Sequence, residues 1–377
     1  MLCWRSGRIK MFTTAGGRTL LLCMLASNFD ASGSGTPQCK HRSNGTEREG
    51  DCLLAEEGHT AERVGDLEDW QDDEELLKRV LSSLPGCSPG DSASQKHCCT
   101  FPRRVVHANE RVPADAFRHG PLILENLTST WRAPSQWTRP RVLKALGNLT
   151  VSAGIPANIA DRGALLPAGS KQLQDGSVEL PLHDLLQRWQ KQDKRLFLFQ
   201  GDRGVGGSTC NSLECLLTAH SNSTGEAEYE VPRIFRSKKH PDRSMDSLIA
   251  SVGASGQGLP LHGHGGGWLS LVRGRKLWLL YWPGNPGPDS SAQDLLKLYR
   301  RNSPNEVAPP FFCVQEPGET VVVPHLWPHA TMNIGDAIGV AGQVKGPVLK
   351  KLMKCLRPLI EGQKVQSYAE GFAKCGL

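Results

Sequence analysis

The stretch Leu259-Pro-Leu-His262-Gly-His264-Gly-Gly-Gly-Trp268-Leu-Ser-Leu-Val-Arg-Gly274-Arg-Lys276-Leu-Trp278-Leu-Leu-Tyr281 decides the fold. Its apolar residues gather in two short runs, Trp268 to Val272 and Lys276 to Trp282, and Gly274 between them suits a hairpin turn. Further strands are predicted over Ser247–Val252, Phe311–Gln315, Glu319–Val323, His329–Ile334 and Ala337–Val344. All are short and punctuated by Gly, Pro and Asn, the pattern of an all-β barrel or sandwich.

The same region carries the candidate chemistry. His262-Gly-His264 precedes a strand pair, and His329 closes Pro324-His-Leu-Trp-Pro-His329 at the start of a later strand. Alternate residues of an extended chain face the same way, so His262 and His264 can point together. Distant segments of a barrel can meet at one mouth, and three imidazoles there would make a metal site with open positions. The competing reading is two surface histidines in a Gly-rich loop plus one core histidine.

The residues resemble the JmjC family. The first stretch is similar to that family's metal-binding pair, strand and Gly-x-Lys element. Glu316-Pro-Gly-Glu-Thr-Val-Val-Val-Pro-His-Leu-Trp-Pro-His329-Ala-Thr-Met-Asn333 is similar to its second half, with an Asn four residues after the His. The likeness extends upstream through Cys99-Thr-Phe-Pro-Arg-Arg, Gly120-Pro-Leu-Ile-Leu-Glu-Asn-Leu-Thr, Val178-Glu-Leu-Pro-Leu and Leu198-Phe-Gln-Gly-Asp, so it covers about residues 99–343.

The resemblance implies a mainly β fold, a JmjC/cupin double-stranded β-helix with peripheral helices. It implies that His262 and His329 match the family's two histidine ligands of Fe(II). It sets Lys276 against the far carboxylate of 2-oxoglutarate and Asn333 beside the pocket. His264 stands where most relatives have a carboxylate. That exchange removes a negative charge and a hard oxygen ligand, which makes Zn²⁺ or Ni²⁺ more competitive against Fe(II). Ala341 and Leu259 offer no hydroxyl to accompany the lysine. Two function classes follow. One is a 2-oxoglutarate-dependent oxygenase of the protein hydroxylase type. The other is a non-catalytic binding or scaffold module. No catalytic residue beyond the ligands is assigned.

Around this core, composition sets the context. The chain has 377 residues, 38% hydrophobic and 22% charged, with Gly 40 and Pro 25. That is too rich in Gly and Pro for a helical bundle and too poor for low complexity. The net charge of +6 is too mild to imply a nucleic-acid partner. No apolar run of spanning length occurs, so no membrane span is expected in the mature chain. The resemblance implies a protein substrate or partner, and a homo-oligomer is left open.

Residues 1–27 read as a signal peptide, with Arg5, Arg8, Lys10 and Arg18 ahead of the apolar Thr19 to Ser27. A basic leader or mitochondrial presequence is the alternative. Four sequons, at Asn44, Asn126, Asn148 and Asn222, fit a glycoprotein of the secretory pathway, in the endoplasmic reticulum lumen or secreted. Ten of the twelve cysteines lie beyond the leader and fit disulfides, with Cys98 and Cys99 each pairing elsewhere.

Residues 28–98 read as an acidic, largely flexible segment, with thirteen acids and two bases between Glu47 and Glu75 and one short helix within Leu67–Leu81. A helix is predicted over Leu180–Gln190 from its apolar spacing. Residues 344–377 read as a basic helical tail whose stripe of Leu349, Leu352, Leu356, Leu359 and Ile360 docks on the core. The Gly-rich Gly201–Gly207 reads as a loop rather than a dinucleotide site.

Overall fold

A computed structural model describes residues 42–43, 46–47, 68–87, 98–107, 110, 120–154, 171–172, 178–190, 198–201, 229, 231–235, 247–283, 290–301, 311–344, 346–362, 364–366 and 368–375. The leader, the sequons at Asn44 and Asn222, and most of the Gly201–Gly207 loop lie outside them. The chain divides into units 1–61 and 62–377. In the first, β1 (Arg42–Ser43) pairs antiparallel with β2 (Thr46–Glu47).

In the second unit the elements run α1 (Glu74–Leu81), β3 (Arg103–Val105), β4 (Leu122–Glu125), α2 (Ala133–Gln136), α3 (Arg139–Leu146), β5 (Thr150–Ala153), β6 (Lys171–Gln172), β7 (Val178–Pro181), α4 (Leu182–Gln190), β8 (Leu198–Gly201), β9 (Ser247–Gly253), β10 (Gly267–Leu280), α5 (Ala292–Arg301), β11 (Phe311–Gln315), β12 (Thr320–Val323), β13 (His329–Gln343), α6 (Gly346–Glu361) and α7 (Tyr368–Lys374). The main sheet has the order β3-β4-β12-β10-β13-β9-β8, with β11 also paired to β10. A small sheet, β5-β7-β6, stands apart.

Two long strands organise everything. The four predicted strands 268–272, 276–282, 329–334 and 337–344 are in fact only two, β10 of 14 residues and β13 of 15, antiparallel along their length. Gly274 is therefore not a hairpin turn. It sits inside β10 at an irregularity in the ladder with β13, with φ 71°, and a Cβ there would lie 2.2 Å from the Asp336 carbonyl oxygen. Gly335 makes the matching kink in β13, with φ 78°. Glycine adopts this left-handed backbone without steric cost, and bulges of this kind bend a strand. The bend lets the first half of β10 pair with β12 and the second half with β11. One strand thus serves both halves of a double-stranded β-helix.

The apolar residues form three clusters that match this plan. One contains Ile249, Leu269, Trp278, Val323 and Ala341 together with Leu356 and Ile360 of α6. The amphipathic tail helix therefore docks on the core as its sequence predicts. A second cluster sets the four apolar residues of α4, Leu182, Leu185, Leu186 and Trp189, against Trp268, Val340 and Val252. A third packs α1 and α5 against Leu277, Leu279, Val314 and Met332.

Folding also begins upstream of Cys99. Asp73 caps α1 by accepting from the Leu76 amide (2.8 Å), Glu74 and Glu75 occupy its first turn, and Leu77, Val80 and Leu81 are buried. An N-cap carboxylate, acids at the positive end of the helix dipole and an apolar stripe at i, i+3, i+4 account for this helix within an acidic run. Among the described residues the disulfides are Cys87–Cys98, Cys99–Cys313 and Cys355–Cys375. Adjacent Cys98 and Cys99 do pair elsewhere. Among the described residues no helix is long and apolar enough to cross a membrane.

Candidate metal and anion site

His262, His264 and His329 come together, each offering one ligand atom, with these atoms all within 4.8 Å of one another. His329 opens β13 and is 4% exposed, while the other two are half-buried. The ring centroids of His262 and His329 are 4.3 Å apart, and those of His264 and His329 are 4.7 Å apart.

Backbone pairing does the gathering. His262 and His329 form an isolated antiparallel bridge. The Gly-rich segment after His262 is laced to the Pro324–Pro328 turn. The Leu326 amide donates to the His264 carbonyl (2.9 Å), and the Gly266 amide donates to His325 Nδ1 (2.7 Å). A Cβ on Gly266 would approach the His325 ring to 3.2 Å, so glycine permits this closeness. His325 is thus a buried structural histidine.

The ring orientations suit metal binding. Nδ1 of His262 donates to the Pro260 carbonyl (2.8 Å), Nδ1 of His329 to the Trp327 carbonyl (2.8 Å), and Nδ1 of His264 to the Gly265 carbonyl. A carbonyl oxygen can only accept, so each Nδ1 carries the proton and each Nε2 keeps its lone pair. A backbone carbonyl behind the non-ligating nitrogen is the usual second partner of a metal-binding histidine. Burial lowers the pKa of all three rings, His264 to about 4 and His329 well below the ordinary value. Neighbouring histidines add to the lowering at His264 and His329. The rings are therefore neutral at pH 7, the ligating form. This donor set fits a divalent metal.

The cluster opens into a partly enclosed pocket whose lining includes Trp268, Lys276, Trp278 and Asn333. Lys276 and Asn333 lie across from each other in the β10–β13 register, four residues along β13 from His329. Lys276 Nζ donates to Asn333 Oδ1, and both side chains are 4% exposed. Burial pushes the Lys276 pKa down to about 8, so the ammonium still predominates at pH 7. Among the described residues lining the pocket there is no carboxylate. A divalent ion on three neutral ligands, together with Lys276, would leave a strong positive excess. Such a pocket calls for an anion that can meet a charge at each end.

The sequence reading missed Thr331 and Ser251. Both line the pocket, one register step from Asn333 and on the paired β9 strand respectively. Thr331 follows from the period-2 alternation between His329 and Asn333. No local signal marks Ser251. These two hydroxyls stand in the pocket that Ala341 and Leu259 line without one. Trp278 forms another wall, its indole N–H donating to Gln315 Oε1 (2.8 Å).

Comparison with known proteins agrees with this geometry. Residues 288–344 match the family model described as "JmjC domain, hydroxylase". That span includes His329 and Asn333 and starts after His262, His264 and Lys276. The chain is 24% identical over 264 residues to JmjC domain-containing protein 8 of Homo sapiens, covering 68% of this chain and 87% of that protein. It is 25% identical over 263 residues to the bifunctional arginine demethylase and lysyl-hydroxylase psr-1 of Caenorhabditis briggsae, covering 61% and 59%. It is 31% identical over 115 residues to the 2-oxoglutarate and iron-dependent oxygenase JMJD4 of Gallus gallus, covering 25% of each. Residues 288–344 are thus similar to a JmjC domain, and they include β13 with His329 and Asn333.

Proposed function

We propose that this chain is a JmjC protein of the secretory pathway whose barrel binds a divalent metal and 2-oxoglutarate and is directed at a protein substrate. The observation that carries the reading is the shared pocket: three neutral imidazoles at one end and a buried Lys276–Asn333 pair at the other. His262, His264 and His329 would hold the metal. Lys276 would pair with the far carboxylate of the ligand, and Asn333 would orient the ammonium. Thr331 and Ser251 offer hydroxyls along the wall between. Fe(II), when bound, supplies the redox chemistry of hydroxylation. Zn²⁺ or Ni²⁺ would leave a ligand-binding site without it. The protein substrate is inferred from the relatives, since psr-1 is by name an arginine demethylase and lysyl-hydroxylase.

The secretory location rests on the basic apolar leader, the four sequons and the cysteine content. The disulfides and the exposed Asn126 and Asn148 are compatible with it. Increased gel mobility after endoglycosidase treatment of protein from cells is the expected result. Unchanged mobility together with freely titrating thiols would contradict it.

A second reading, a non-catalytic binding module, is favoured by the carboxylate-free pocket. Replacing the hard oxygen ligand by His264 lowers the preference for Fe(II). Weak or absent turnover is therefore expected of the native chain. Succinate release with Fe(II) and ascorbate tests it. Robust turnover abolished by Lys276→Ala establishes the enzyme, whereas bound metal and 2-oxoglutarate without turnover leaves the binding module.

A further inference from the structure

The wall bearing Lys276 and Asn333 is gripped by the loop 254–257. The Asn333 amide donates to the Gln257 carbonyl (2.7 Å), and the Asn333 carbonyl accepts from the Gly256 amide (2.9 Å). The Asn333 side-chain amide reaches the Ala254 carbonyl at 3.5 Å. Gln257 Oε1 accepts from the Ala254 amide (2.8 Å) and closes the loop on itself. Within this loop, Ser255 Oγ donates to Asp73 Oδ2 (2.6 Å) and accepts from the Gly335 amide (3.3 Å).

Asp73 belongs to the acidic strap before α1, which lies along the kink of the two long strands. The Asp336 amide donates to the Gln71 carbonyl (2.7 Å). A Cβ on Gly335 would fall 2.7 Å from that same Gln71 carbonyl oxygen. Arg275, the neighbour of Lys276 in β10, pairs with Glu74 (3.0 Å) and Glu316 (3.0 Å). Adjacent strand residues face opposite ways, so these acids take up the charge beside Lys276 and leave the lysine itself unneutralised.

We infer that Ser255 is a positioning residue: its bond to Asp73 in the strap fixes the loop 254–257, which holds Asn333 and thereby sets the Lys276 ammonium at the anion end of the pocket. The inference rests on the proposed 2-oxoglutarate site and adds its control by a segment remote in sequence. A lysine side chain has four freely rotating carbons, so its ammonium is placed only as well as its partner is placed.

The test uses the full chain loaded with Co²⁺ as probe metal, titrated calorimetrically with 2-oxoglutarate, alongside amide exchange at Asn333. Ser255→Ala should leave cobalt stoichiometry unchanged, weaken 2-oxoglutarate binding by about tenfold, the worth of one hydrogen bond, and speed exchange at Asn333. Ser255→Thr keeps the hydroxyl and should restore both. Ser82→Ala removes only a hydroxyl at the far end of α1, bonded to the Lys78 carbonyl, and should change neither. Native affinity and exchange in Ser255→Ala overturn the inference, and so does loss of cobalt in that variant. If the native chain binds no 2-oxoglutarate, the proposed site fails on its own. The clamp is then decided by exchange, and an unchanged Asn333 rate in Ser255→Ala overturns it.

Discussion

His262 and His329 exchange both of their backbone hydrogen bonds, 3.1 Å in one direction and 2.8 Å in the other, across 67 residues of sequence. This pairing presents two imidazoles side by side from main chain rather than from mobile loops. The entropy of gathering the ligands is met by folding, so metal binding has little left to order.

Metal affinity should therefore depend steeply on the paired histidines. His262→Ala and His329→Ala are each expected to weaken Zn²⁺ or Co²⁺ binding by about a hundredfold or more, since each removes one of three ligands. Competition against a chromophoric chelator measures this. The lowered ring pKa values extend the neutral, ligating form to acid pH. Metal should stay bound at pH 6 and leave only on further acidification. Release centred near 6.5, the ordinary histidine value, would contradict the burial argument.

Lys276 gives a prediction of opposite sense. Its folded pKa of about 8 lies below the ordinary 10.5, so 2-oxoglutarate affinity should hold up to neutral pH and fall as pH rises through 8. Between those two values the unfolded chain holds more protons, so stability should rise with pH across that window. Lys276→Met should abolish anion binding, spare the metal, flatten that rise and stabilise the ligand-free protein by about 1–3 kcal/mol at pH 7. Calorimetric melts of both proteins at pH 7 and pH 9 decide the matter.

His264→Asp should move metal preference from Zn²⁺ towards Fe(II) and increase succinate release. The carboxylate restores a charge and a hard donor. Gly263 and Gly265 to Gly267 leave room for either side chain. Elemental analysis after equilibration with both ions reads the change, and an unaltered iron-to-zinc ratio would count against the electrostatic account.

The Cys99–Cys313 disulfide ties residues 214 apart in sequence, and Cys355–Cys375 residues 20 apart. Replacing the first pair by serine should cost about 5 kcal/mol and the second about 3, by the loop-entropy argument. Denaturant midpoints of the two double variants should keep that order. The reverse order would show that local packing of α6 and α7 outweighs chain entropy.

Sequence alone determined the elements whose signal is local. The four-residue apolar rhythm of α4 and the His-Gly-His and Trp-Pro-His motifs are each a periodicity or spacing along one segment. Tertiary structure decided the rest. Gly274 and Gly335 read as strand ends because a glycine between apolar runs has the same local signature in a turn and in a bulge. Only the pairing of β10 with β13 distinguishes the two. The acidic run before α1 reads as solvated because few of its charges have partners nearby in sequence. Arg275 and Ser255, some 180 to 200 residues away, supply them. Ser251 entered the pocket the same way. A hydroxyl has no signature of its own on a strand, and its facing is fixed by register, which long-range backbone hydrogen bonds set.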